Sequence, residues 1–304
     1  MFDTLTGFAV VGLAILLGWI LGRIDLLGPH ARYVLGRLTF FVLSPFLLFV
    51  VLSQADVGTL FSALLPVSAI AAVVVIVAHG LIARLVWRRS VGETLIGALS
   101  AGQVNSNNIG IPLSLYLLGS AAYPAPVILL QLLVFTPISM AIFEAVSTGQ
   151  RRAWPILRRT FTNPIVVGSI LGVAVSASGI ELPHLVIDPL QLIADACVPV
   201  LLISYGISLH GQRVLGASGR RRDILLASAL KLFAMPLAAW GAALLFRLSP
   251  EDVLVVTVLA ALPTAQNVFN YAQRFDIGET ISRDTIFITT VGCVPILLLL
   301  TAIL

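Results

Sequence analysis

The sequence predicts an all-α polytopic membrane protein. About ten transmembrane helices are expected, arranged as two inverted five-helix repeats in which helices four and nine are broken. Three observations predict this. The 304 residues are 59% hydrophobic and 11% charged, and apolar runs of roughly 18–24 residues recur along the whole length. Arginines collect in alternate connections, the pattern of loops that alternate across a bilayer. Two of the oily runs carry amide-rich plugs, interrupted by glycine or proline, at corresponding places in the two halves.

Taken in order, the spans fall near Leu5–Leu21, Tyr33–Leu52, Leu64–Val86, Glu93–Leu118, Pro126–Val146, Phe161–Ser178, Leu185–Leu209, Ile224–Phe246, Val253–Gln273 and Asp284–Ile303. Asp3 precedes the first run and Arg23 follows it. That is the wrong polarity for a cleaved signal peptide, so the run is expected to be a retained helix. Arg23, Arg32 and Arg37 surround the first connection, and Arg84, Arg88 and Arg89 lie in the third. Arg151, Arg152, Arg158 and Arg159 fill the fifth, Arg213 and Arg220–Arg222 the seventh, and Arg274 and Arg283 flank the ninth. The even connections carry mainly acidic residues: Asp56, then Glu181 and Asp188, then Glu251 and Asp252 beside Arg247. Odd connections are therefore expected in the cytoplasm and both termini outside. Topology explains every arginine cluster, so no nucleic-acid partner is expected. The single lysine among eighteen basic residues suits a GC-rich bacterial genome, which points to a bacterial inner membrane.

The halves resemble each other. Ser44-Pro45-Phe46-Leu47-Leu48 in span two is matched by Val198-Pro199-Val200-Leu201-Leu202 in span seven, and Thr136-Pro137-Ile138 in span five by Val294-Pro295-Ile296 in span ten. Five spans per half is an odd number, so the second repeat, residues 151–304, is inverted relative to the first, residues 1–150. Inverted repeats with discontinuous helices mark secondary transporters.

The plug in span four reads Gly102-Gln-Val-Asn-Ser-Asn-Asn-Ile-Gly-Ile-Pro112. On an ideal helix, at about 100° per residue, Gln103, Asn105, Asn107 and Asn108 point all around the cylinder. No single buried face holds them, and unpartnered amides in hydrocarbon cost several kcal/mol each. Pro112 lacks an N–H and clashes with the carbonyl of Asn108, and Gly110 adds freedom. An unwound stretch near Asn107–Ile111 is predicted between two half-helices, the second starting at about Pro112. Its positive end suits an anion, and free carbonyls of the unwound stretch suit a cation. Span nine carries Pro263-Thr-Ala-Gln266-Asn267-Val-Phe-Asn270. Gln266, Asn267 and Asn270 share one helical face, so an intact amphipathic helix also accommodates them, and its break at Pro263 rests mainly on the repeat. The competing reading of both clusters is interhelical glue.

Outside the plugs, Lys231 lies two turns inside span eight. It either snorkels to the surface or serves as a counter-charge. His79 is a packing histidine or a proton relay. Asp195, four residues before Pro199, needs a partner or a wet cavity. Glu144 is expected in an interfacial ion pair. Gly18 with Gly22, and Gly168 with Gly172, mark close helix packing. Cys197 and Cys293 are packing residues without metal spacing. Phosphate loop, His-Glu-x-x-His and Gly-x-Ser-x-Gly motifs are absent from the sequence, so no ATP motor, metal, cofactor or enzymatic activity is expected. The energy source is expected to be a gradient of substrate or of a coupling ion, H⁺ or Na⁺.

Asn105-Ser106-Asn107-Asn108-Ile109-Gly110-Ile111-Pro112 resembles the first signature of the auxin efflux carrier family, whose members include plant carriers and bacterial organic-anion permeases. Leu262–Asn267 with Tyr271-Ala272 resembles the second signature, and Val198–Leu202 with Gly206 resembles the span-seven pattern. The resemblance implies that spans four and nine cross at mid-membrane, on a fold similar to that of the sodium–bile-acid symporters. Spans three to five and eight to ten would form a mobile bundle. Spans one, two, six and seven would form a scaffold that homodimerises, and transport would be elevator-like. Asn105, Asn107, Asn108 and Gly110 would meet Gln266, Asn267 and Asn270 around a small organic anion. Val268 stands where the plant carriers place a second proline, and the central loop is short, so a small carboxylate is expected rather than auxin. A sodium-coupled symporter, or a channel or ligand sensor on the same helices, are the alternatives.

Overall fold

The computed structural model describes residues 2–54, 63–120, 123–148, 158, 162–210, 215 and 218–303. Asp56, Arg151, Arg152, Arg159 and Arg213 lie outside the described residues, as do the side chains of Asn108 and Pro112. The described chain is helical throughout, apart from connections and one isolated β-bridge. Sixteen α-helices follow in order: α1 (Phe2–Arg23), α2 (Ala31–Leu38), α3 (Ser44–Ser53), α4 (Leu64–Leu81), α5 (Val91–Gly102), α6 (Ile111–Leu118), α7 (Ala125–Leu130), α8 (Thr136–Thr148), α9 (Pro164–Ser178), α10 (His184–Asp195), α11 (Cys197–Leu209), α12 (Arg221–Ala229), α13 (Met235–Leu245), α14 (Pro250–Ala261), α15 (Asn267–Phe275) and α16 (Glu279–Ile303). Among the described residues, six helical runs are long and apolar enough to cross a membrane: Ala31–Ser53, Leu64–Val86, Ala125–Ser147, His184–Leu209, Arg221–Leu245 and Glu279–Ile303. Gly12–Arg23 and Pro164–Ser178 are shorter apolar helices.

Several of these runs owe their continuity to a widened turn. Five-residue π turns occupy Thr39–Leu43, Ser106–Gly110, Gln131–Phe135 and Leu230–Ala234. Each ends two residues before a proline: Pro45, Pro112, Pro137 and Pro236. A proline ring pushes away the carbonyl one turn earlier and offers it no N–H. Letting the helix loosen to i→i+5 bonding moves that carbonyl aside without breaking the chain. The bond from the Ser44 N–H back to the Thr39 carbonyl is one instance. A fifth π turn, Ile82–Val86, has no proline and instead ends its helix.

Two tight helix pairs rest on glycine. α1 lies along α11, with Gly18 against the Ile203 backbone and Gly206 against the Ile15 carbonyl and the Gly18 Cα. α9 lies on α3, where a Cβ added at Gly168 would come within 2.5 Å of the Pro45 carbonyl oxygen and one at Gly172 within 2.7 Å of the Phe49 carbonyl oxygen. Both pairs named in the sequence thus serve close backbone approach within one chain. A separate core gathers α4, α5, α13 and α14 around Val67, Ala71, Ala101, Val104, Leu259 and Leu262. This second core encloses the two interruptions.

Candidate functional site

Both amide-rich runs are broken. α5 stops at Gly102, Gln103 is extended (φ −87°, ψ 136°), and α6 resumes at Ile111. α14 stops at Ala261, Leu262 is extended (φ −58°, ψ 152°), and α15 resumes at Asn267. Span nine is therefore not the intact amphipathic helix that its amide spacing also allowed. In span four the unwound stretch is Gln103–Asn105, earlier than the expected Asn107–Ile111. Residues 106–110 are wound as the π turn, in which the Asn105 carbonyl accepts from Ile109 (3.3 Å) and Gly110 (2.9 Å). The widened turn takes up the clash ahead of Pro112, so the chain opens one step upstream. Pro112 sits in the first turn of α6, directly after this widened turn.

The two unwound stretches pair with each other. Val104 and Thr264 form an antiparallel bridge. Asn105 N–H donates to the Pro263 carbonyl (2.8 Å), and Ala265 N–H donates to the Gln103 carbonyl (3.1 Å). In unbroken helices these donors would have bonded to Ala101 and Ala261, four residues back. Each chain thus exchanges an internal bond for one to the other chain, which keeps buried backbone groups satisfied.

The groups stranded at the centre of each break find side-chain partners. Val104 N–H donates to Gln131 Oε1 (2.8 Å), and Gln131 Nε2 donates back to the Val104 carbonyl (3.0 Å). Thr264 N–H donates to Thr289 Oγ1 (3.1 Å). The Ser100 carbonyl, which Val104 would have served, accepts from Thr264 Oγ1 (2.6 Å). The Ala260 carbonyl, which Thr264 would have served, accepts from Lys231 Nζ (2.7 Å). Lys231 is fully buried, with Met235 Sδ 3.0 Å from its ammonium. It does not snorkel and, among the described residues, meets no carboxylate: its charge lies on the negative end of α14.

Gln131 and Thr289 carry this arrangement, and neither was singled out from the sequence. A signal was present: each stands six residues before the repeated proline of its span, Pro137 and Pro295. Thr136 Oγ1 extends the network from the Gln131 carbonyl (2.8 Å) to the Tyr271 hydroxyl (2.9 Å).

Of the named amides, Asn105 is buried, Asn107 and Gln266 are half-buried, and Asn267 and Asn270 are exposed. Gly110 is buried, and a Cβ there would lie 3.0 Å from Leu262 Cδ1, so this glycine lets the second half of span four close on the end of α14. Asn267 and Asn270 share the outward face of α15, opposite buried Val268, Tyr271 and Ala272. A small cavity beside the crossing is lined by Ser68, Gly102, Val104, Gln131, Met235 and Ala260 among others. It leaves about 10 Å³ for the centre of a water-sized sphere, which is room for about one water.

The other charged candidates lie apart. His79 is fully buried against Gly97 of α5, and its ring nitrogens have no hydrogen-bond partner among the described residues. Nearby Asp223 is buried and held by Arg89 through two bonds, 2.7 and 3.1 Å. Asp195 is exposed and accepts from Gln191 one turn before it (2.5 Å). Glu144 faces Arg274 at 3.9 Å.

A family model described as "Membrane transport protein" matches residues 5–301. A curated protein of Rhizobium meliloti (strain 1021), named "Putative malonate transporter", is 26% identical over 212 residues. Those residues are 67% of this chain and 65% of that protein's length. With nearly its whole length matched, this chain belongs to the membrane transport protein family, that of the auxin efflux carriers.

Proposed function

We propose that this protein is a secondary carrier for a small organic anion, with malonate as the first dicarboxylate to test. The observation that carries the reading is the Val104–Thr264 bridge between two interrupted helices. Polar, unwound backbone inside an apolar protein is expected only where it is enclosed or lines a pathway. The wound halves that follow the bridge begin at Ser106 and Asn267, and their N-terminal ends favour an anion. The name of the Rhizobium relative supports a dicarboxylate.

In this reading the chain has about ten spans in two inverted repeats, residues 1–150 and 151–304. The matched placement of Gln131 and Thr289 supports the repeat. Spans three to five and eight to ten move past a scaffold of spans one, two, six and seven by an elevator stroke, and the scaffold pairs two copies of the chain. The membrane is the bacterial inner membrane, with both termini outside. Asn105, Asn107, Asn108, Gly110, Gln266, Asn267 and Asn270 bind the cargo. His79, Lys231 and Asp195 are the groups through which H⁺ or Na⁺ coupling is tested first.

The test is counterflow of labelled malonate into proteoliposomes. Saturable exchange is expected for the wild-type protein. Asn108→Ala and Asn267→Ala are expected to abolish it while leaving the detergent-purified protein monodisperse. Undiminished exchange by both variants removes the site, and conductive, non-saturating flux favours a channel.

A further inference from the structure

We infer that Arg32, from α2, supplies the guanidinium that binds a carboxylate of the cargo beside the amide face of α15. Arg32 is half-buried, and its Nη2 is buried with no hydrogen-bond acceptor among the described residues. A guanidinium nitrogen without an acceptor in such a place is costly unless a ligand fills the gap. The group is not loose, because its Cζ lies 4.4 Å over the Phe269 ring, a cation–π contact that fixes its plane.

Phe269 belongs to α15, the half-helix that follows the crossing. Gln266 and Gln273 lie one turn before and after it on the same face, and Asn270 is the adjacent residue. A guanidinium stacked on Phe269 is thereby set on the helix that carries Gln266 and Asn270, both assigned to the cargo, and Gln273. Amides with one planar, two-pronged cation form a donor set that recognises a carboxylate.

The neighbouring charges leave this arginine available. Among the described residues, Glu279 and Arg283 are charged groups that act on it electrostatically. Arg283 is committed to Asp284, with contacts of 2.7 and 2.8 Å, and Asp284 also accepts from Leu215 N–H (2.8 Å). Glu279 makes no hydrogen bond to Arg32 Nη2, which therefore stays open to a ligand. A cavity of about 380 Å³, lined by Ile15, Trp19, Leu209, Arg283 and Asp284 among others, adjoins the cluster that holds Tyr205 and Phe269.

The inference rests on the anion-carrier reading and adds to it. Arg32 belongs to span two of the scaffold, whereas α15 belongs to the moving bundle. The fork is present at one end of the stroke and left behind at the other, so cargo affinity differs between the two faces of the membrane.

The test compares wild-type protein, Arg32→Gln and Arg32→Lys by thermal shift in sodium malonate against sodium chloride of equal ionic strength. Malonate is expected to raise the apparent Tm of the wild type. Arg32→Lys is expected to need about tenfold more malonate for the same shift, because the fork is lost while the charge stays. Arg32→Gln is expected to show no malonate shift while matching the wild type in chloride. A malonate shift in Arg32→Gln equal to that of the wild type overturns the inference and leaves the carrier reading standing. A wild type that responds neither to malonate nor to acetate sinks both. If Arg32→Gln does not fold, wild-type affinity in Arg32→Lys overturns the inference. A shift confined to the wild type on adding phosphatidylglycerol, with equal malonate responses, reassigns Arg32 to lipid phosphate and also overturns it.

Discussion

Lys231 Nζ donates a 2.7 Å hydrogen bond to the carbonyl of Ala260, deep inside the protein and one residue before α14 ends. The lysine replaces the helical donor that the break at Pro263 removes. Its positive charge also meets the negative end of the helix dipole. Lys231→Met keeps the apolar length and strands the carbonyl. A loss of about 1–3 kcal/mol is expected, read as a lower apparent Tm of the purified protein. An unchanged Tm means that Ala260 has found another donor.

The Thr264 hydroxyl ties the two breaks together through the Ser100 carbonyl. Thr264→Val keeps the shape and removes the bond. It is expected to cost about 1–2 kcal/mol and to lower counterflow, while Thr264→Ser, which retains the hydroxyl, recovers most of both. Equal behaviour of the Val and Ser variants would show that the hydroxyl contributes only its volume.

Gln131 satisfies both the N–H and the carbonyl of Val104. Gln131→Leu strands both groups, at about 1–3 kcal/mol for each. Gln131→Glu retains an acceptor for the N–H but sets a carboxylate oxygen against the Val104 carbonyl. Stability should fall in both variants, and counterflow should be lost in Gln131→Glu even where folded protein is recovered. Wild-type flux in Gln131→Glu counts against a strict geometric need at the crossing.

His79 and Gly97 fit face to face. A Cβ added at Gly97 would lie 2.6 Å from His79 Nε2 and closer still to Cε1. Gly97→Ala is expected to destabilise by about 1–3 kcal/mol through overpacking. Adding His79→Ala makes room, so the double variant should be more stable than Gly97→Ala alone. Additive losses in this cycle would show that α5 shifts rather than collides.

The helical segments were legible because hydrocarbon imposes long, apolar, internally bonded runs. Leu64–Val86 emerges with the bounds expected from its composition, and Ser90, Asn163 and Ser249 cap helices where short polar side chains precede apolar runs. The interruption of span four was legible for the same reason, since its amides had no common face. The location of the opening was not: whether Pro112 is met by unwinding or by a π turn depends on what lies beside the preceding turn.

Lys231 shows the limit most clearly. Its sequence position suits snorkelling, pairing or burial equally, and the choice falls to an orphan carbonyl 29 residues away in a different helix. Gln131 and Thr289 are similar, because each matters only once a broken strand lies against it. The recurring apolar runs, with amide plugs inside two of them, determined that this chain is a helical membrane protein with interrupted spans, since the bilayer leaves a sequence few other solutions. Tertiary structure decided which donor meets which stranded backbone group. Hydrogen bonds are short and directional, and the residues that make them are brought together only when the helices pack.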